Sequence, residues 1–140
     1  MKTYNINIQG YFLDEGRASF PSTSGLYFVY RGKVDKEQHI AYLSELIYIG
    51  DTSNLQNLPN GELNGNDFMK VCKHEEVLLY SYAEVTFPVG ERKSLLNAMI
   101  SVIMPSLNSI SPRKSIGEEV LKIVVEGPHA FIPSVMTITS

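Results

Sequence analysis

Apolar and polar side chains alternate from residue 4 to 12, with Tyr4, Ile6 and Ile8 on one side and Asn5, Asn7 and Gln9 on the other. That period of two predicts a strand. Asp14-Glu15-Gly16 then reads as a turn, and residues 17–20 read as a return before Pro21. Residues 25–30 and 46–50 are aromatic and β-branched runs bounded by Ser, Gly and Asp, the composition of strands. The stretch between them, 36–46, reads as a long loop or a short helix. Residues 51–58 start like a helix, with Thr52 or Ser53 as cap, and Pro59-Asn60-Gly61 stops it. Asn64 to Asp67 reads as a turn feeding a short helix at 68–74, and 77–85 as a further strand. The clearest helix spans 91–104: Leu95, Leu96, Met99, Val102 and Ile103 fall in one arc at about 100° per residue, opposite Lys93, Ser94, Asn97 and Ser101. Pro105 ends it. Residues 120–126 and 131–138 predict two more strands around Gly127-Pro128, placed to pair with the N-terminal one.

No repeat, low-complexity tract or linker divides these elements, so one domain over residues 1–140 is expected. A 44% hydrophobic and 19% charged composition is that of an ordinary globular chain. Twelve lysines and arginines against fifteen aspartates and glutamates leave a formal charge of −3, which opposes non-specific grip on a polyanion. Nucleic acid, if bound, is expected to be bound weakly. The alternating N-terminus lacks the apolar run of a signal peptide or membrane helix, so a cytoplasmic protein with no membrane partner is expected. Cys72 is the only cysteine, which excludes an intrachain disulfide and a cysteine-rich zinc site. It is expected to be buried or half-buried.

The order Gly25-Leu26-Tyr27, then Tyr48-Ile49-Gly50-Asp51-Thr52-Ser53-Asn54-Leu55, then an apolar helix closing on Pro105-Ser106-Leu107-Asn108, resembles the GIY-YIG nuclease family. The resemblance covers residues 25–108 and leaves flanking strands in 1–24 and 109–140. It implies an α/β fold in which helices pack on a small, mainly antiparallel sheet; the flanks add a terminal β-strand extension. It also implies that Tyr27, Tyr48 and Asn108 stand at the family's active-site positions. Alternation supports this placement, because Tyr27 and Tyr48 can share one face while Leu26, Phe28, Ile47 and Ile49 line the other.

Cleaving a phosphodiester requires an activated water and neutralisation of the charge that builds on the phosphate. In the family these tasks fall to an arginine after the second motif and a metal-binding glutamate in the later helix, and the matching positions here are Leu58 and Leu96. Residues 51–69 contain no lysine or arginine, and Asp51, Glu62 and Asp67 are acidic. Arg31, Lys33, Lys36 and His39, between the motifs, are the candidate displaced cationic groups, while His74-Glu75-Glu76 reads as surface or cap residues. The leading expectation is thus a catalytically degenerate GIY-YIG-like protein with no metal site and no cofactor, which keeps a nucleic-acid or ligand surface. One alternative is a magnesium-dependent endonuclease using Arg31 with Glu91 or Glu84. The other is a protein-interaction domain, or a homo-oligomer formed through the terminal strands.

Overall fold

The computed structural model describes residues 2–57, 65–108 and 120–139. The fold is mixed α/β and dominated by a six-stranded sheet of order β3-β2-β4-β1-β5-β6. The strands are β1 (Lys2–Leu13), β2 (Gly25–Asp35), β3 (Ile40–Thr52), β4 (Val77–Glu84), β5 (Val120–Glu126) and β6 (Val135–Thr139). The helices are α1 (Gly65–Met69) and α2 (Val89–Ile103), with 3-10 turns at Asp14–Ser19 and Leu55–Asn57. Neighbouring strands are antiparallel except β1 and β5, which run parallel.

The strand order follows from where the buried residues lie. Every residue from Gly25 to Tyr30 is buried, so β2 is covered on both faces, and β3 and β4 flank it. Leu26, Phe28 and Tyr30 join Leu95, Ala98 and Met99 of α2, together with Tyr4, Ile6 and Ile8 of β1, in one core. Tyr27 and Val29 join Phe20, Ile47, Leu55, Phe68, Leu78 and Tyr80 in a second core on the opposite face. Helix α2 therefore covers one side of the sheet. The segments around the two 3-10 turns and α1 cover the other.

Several expectations are corrected here. Residues 17–20 do not return as a strand, because Asp14–Ser19 winds into a 3-10 helix with Ser19 Oγ donating to the Gly16 carbonyl at 2.7 Å. Residues 36–46 are neither loop nor helix in the main. β2 and β3 form one long hairpin turning at residues 36–39, where the Asp35 carboxylate caps the amides of Glu37 and Gln38. The helix expected over 51–58 is absent within its described part: β3 continues to Thr52 and only Leu55–Asn57 curls into a turn. Leu58 and the Pro59-Asn60-Gly61 stop signal lie outside the described residues. Helix α1 starts earlier than expected, and residues 70–76 form turns and loop. The last strand starts at Val135, later than expected, and Phe131 sits in a turn with φ of 63°. The terminal strands are not an appendage either. β1 joins β4 through residues 8–13 and β5 through residues 2–7, so they complete the sheet itself.

A buried ion-pair network fastens the far end of the hairpin. Arg31 on β2 donates from Nη1 to both carboxylate oxygens of Glu76 at 2.8 and 2.9 Å, and from Nε to Glu45 on β3 at 3.0 Å. The Glu76 side chain is only 4% exposed. It also accepts from the Lys73 amide at 2.7 Å, and this bond, followed by those from Ser44 and Arg31, holds its carboxyl below the ordinary carboxylate range despite burial.

A depressed carboxyl pKa stabilises the fold above the unfolded value and loses that contribution as pH falls through the folded value. Glu76→Gln should therefore cost about 1–2 kcal/mol at neutral pH, because it removes the charged partner of a half-buried Arg31 that keeps only Glu45. The variant should also lose less stability than the parent when acidified below about pH 4.5, and melting curves at pH 7 and pH 3 measure both effects.

Candidate functional site

The two tyrosines of the motifs do meet. Tyr27 stands opposite Gly50 on β3 and opposite Tyr82 on β4. Its ring lies over Gly50, where a Cβ would overlap the phenol, so a glycine is required at that position. The Tyr27 and Tyr48 ring centroids lie 6.1 Å apart. Tyr48 in turn packs on Phe68 of α1 with ring centroids 5.2 Å apart. Tyr27 is 2% exposed, whereas Tyr48 is half-buried. Burial first, then the neighbouring Tyr48 phenol and the Asp51 carboxylate, push the Tyr27 hydroxyl well above its ordinary value. It is a neutral phenol at physiological pH.

A bulge in the hairpin sets this arrangement. Val29 pairs with Tyr48 and Tyr30 with Leu46, leaving Ile47 as the additional residue of β3. Strict alternation expects Ile47 on the face of Ile49, but the bulge turns Ile47 and Tyr48 together toward the Tyr27 face. Ile49 stays on the α2 side.

Asn108 is occupied by the backbone of β3. Its Nδ2 donates to the Ile49 carbonyl and its Oδ1 accepts from the Ile49 amide, both at 2.9 Å. The Leu107 amide adds a bond to the Ile47 carbonyl at 2.9 Å. Residues 107 and 108 thus act as a short additional strand along the outer edge of the sheet, satisfying groups that an edge would otherwise expose.

The other candidates lie elsewhere. Arg31 shares the tyrosine face by alternation but is held between Glu45 and Glu76. Lys33 and His39 are exposed, Lys33 six residues and about 20 Å along the hairpin from Tyr27. His39 occupies the turn with a φ of 56°. Glu91 is paired with Lys2 at 3.0 Å, and Glu84 is exposed at the end of β4 beyond Tyr82. His74 and Glu75 are exposed, as their surface reading expects, but Glu76 is buried. Leu96 is half-buried against the α2-side core, across the sheet from both tyrosine rings. Cys72 is half-buried beside the tyrosine-side core.

One charged residue escapes the sequence reading. Arg92 is 5% exposed and donates from Nε to Asp51 at 3.0 Å, with Lys93 at 3.5 Å from the same carboxylate. The pair ties the start of α2 to the end of β3. Its sequence signal is spacing: Arg92 precedes Leu95 and Met99 by three and seven residues, which places it in the buried stripe of the helix. Asp51, noted in the sequence only as one of the acidic residues of a cation-free segment, is an internal partner. Among the described residues, no group of three or more His, Cys, Asp and Glu side chains is placed to hold a metal ion. No helix among them is long and apolar enough to cross a membrane. Comparison with protein-family models, with curated proteins and with solved structures gives no match.

Leu96→Glu places a carboxylate against the α2-side core. It should lower stability by about 1–3 kcal/mol, or several degrees of Tm, and magnesium should not restore it. Thermal melts with and without magnesium check this, and a Tm that is unchanged, or raised by the metal, contradicts the placement.

Proposed function

We propose that this chain is a catalytically inert relative of the GIY-YIG nucleases, in which the tyrosine face binds and does not cut. One observation carries the reading: at the motif positions Tyr27 is 2% exposed and packed against Tyr48, and Asn108 is bonded to Ile49, while the candidate displaced cation Arg31 is bonded to two glutamates. What the face offers a ligand is aromatic surface, from the half-buried rings of Phe12, Tyr48 and Tyr82. Rings of this kind stack on unpaired bases. Stacking favours single-stranded nucleic acid over duplex, and the negative formal charge makes the binding weak.

Purified protein incubated with supercoiled plasmid and magnesium or manganese should give no nicking above a control lacking the protein. Metal-dependent cleavage abolished by Tyr48→Phe would overturn the proposal.

A further inference from the structure

The tyrosine face is not open along its whole length, because the segment joining β1 to β2 lies across it. This connection precedes the first motif and falls outside the family resemblance. Its Phe20 is 2% exposed and packs on Tyr82 at 4.5 Å and on Phe12 at 5.2 Å between ring centroids. The Arg17 guanidinium stacks over the Tyr80 ring at 4.9 Å, and Asp14 pairs with Arg17 at 2.9 Å. The Tyr80 hydroxyl is pushed up to about 12, burial being the main cause.

The way this segment is attached differs from the rest of the molecule. Its regular bonds close on itself: the Phe20 amide donates to the Arg17 carbonyl and Ser19 Oγ to the Gly16 carbonyl. Among the described residues, no backbone–backbone hydrogen bond runs from residues 14–20 to the sheet outside this turn. A side-chain bond, from Gln56 Nε2 to the Ala18 carbonyl at 3.4 Å, links it to the turn at Leu55–Asn57. Its fastenings to the sheet among the described residues are side-chain contacts, including the buried Phe20 ring and the Arg17 cation stacked on Tyr80. A segment held in this way can leave while every ladder of the sheet stays paired.

We infer that Asp14–Phe20 is a strap that gates the tyrosine face. When closed, it covers Tyr80 and Tyr82; when lifted, it joins them to the half-buried Tyr48 as one aromatic surface. The inference deepens the binding reading above and rests on it for its purpose, though not for its mechanics.

An arginine-specific protease reads the motion in the intact chain, because Arg17 lies in the strap while Arg31 lies in β2 between two paired strands. First cuts at low conversion, identified by mass, should fall after Arg17 at least about tenfold more often than after Arg31. Phe20→Ala should raise the Arg17 rate a further tenfold or so. Ile138→Ala, in the core on the other face, should raise the Arg31 rate and leave the Arg17 rate unchanged. Equal rates at the two sites, shifting together in both variants, would overturn the strap. A short single-stranded oligonucleotide that traps the open form should speed the Arg17 cut. If Arg17 is cut fast but the oligonucleotide changes nothing, the strap stands and the nucleic-acid reading of the face falls.

Discussion

A strand buried on both faces is the constraint that organises this molecule. β2 has no solvent side between Gly25 and Tyr30, so its alternation divides the neighbouring chain into two cores that do not mix. Helix α2 takes the side of Leu26 and Phe28, and with it go Leu96 and the Arg92–Asp51 pair. The tyrosines take the other. A carboxylate at position 96 cannot work beside the Tyr27 and Tyr48 hydroxyls while a paired sheet separates them.

Charge follows the same logic. Among the described residues, two arginines are committed inside the protein: Arg31 to Glu45 and Glu76, and Arg92 to Asp51. Buried pairs of this kind recover little net stability once desolvation is counted. They are strongly selective about position, however, because displacing either member strands the other. The Arg31 network fixes the hairpin against the α1–β4 connection, and the Arg92 pair fixes α2 against the end of β3. Both use charge to position secondary structure.

What was legible in the sequence was local. The strands at 25–30, 46–50, 77–85 and 120–126 and the long helix show in their periodicity and punctuation, since burial on a strand or helix writes a period of two or of about 3.6. The meeting of Tyr27 and Tyr48 was legible too, through the motif. What failed was set by register or by distant partners. The Ile47 bulge reverses one side chain without any signal of its own. The hairpin continues to Asp35 and Ile40 through polar residues that carry little strand character, held by the ladder and by the Arg31 network. Glu76 looks like a solvent-facing neighbour of His74 and Glu75 until the arginine that reaches it from β2 is known. The pairing of β5 with the N-terminal strand was expected and is present, but its parallel sense is something that no local pattern encodes.

The proposed reading requires that the polar groups at the motif positions serve the fold, and Asn108 tests it most directly. Its amide closes the edge of β3 with two hydrogen bonds to one residue, so Asn108→Ala leaves the Ile49 amide and carbonyl without that partner. The account predicts a loss of about 1–3 kcal/mol in thermal or denaturant unfolding, with faster hydrogen exchange at the Ile49 amide. Unchanged stability, combined with loss of oligonucleotide binding, would contradict it, because Asn108 would then be a ligand contact and the face a working site.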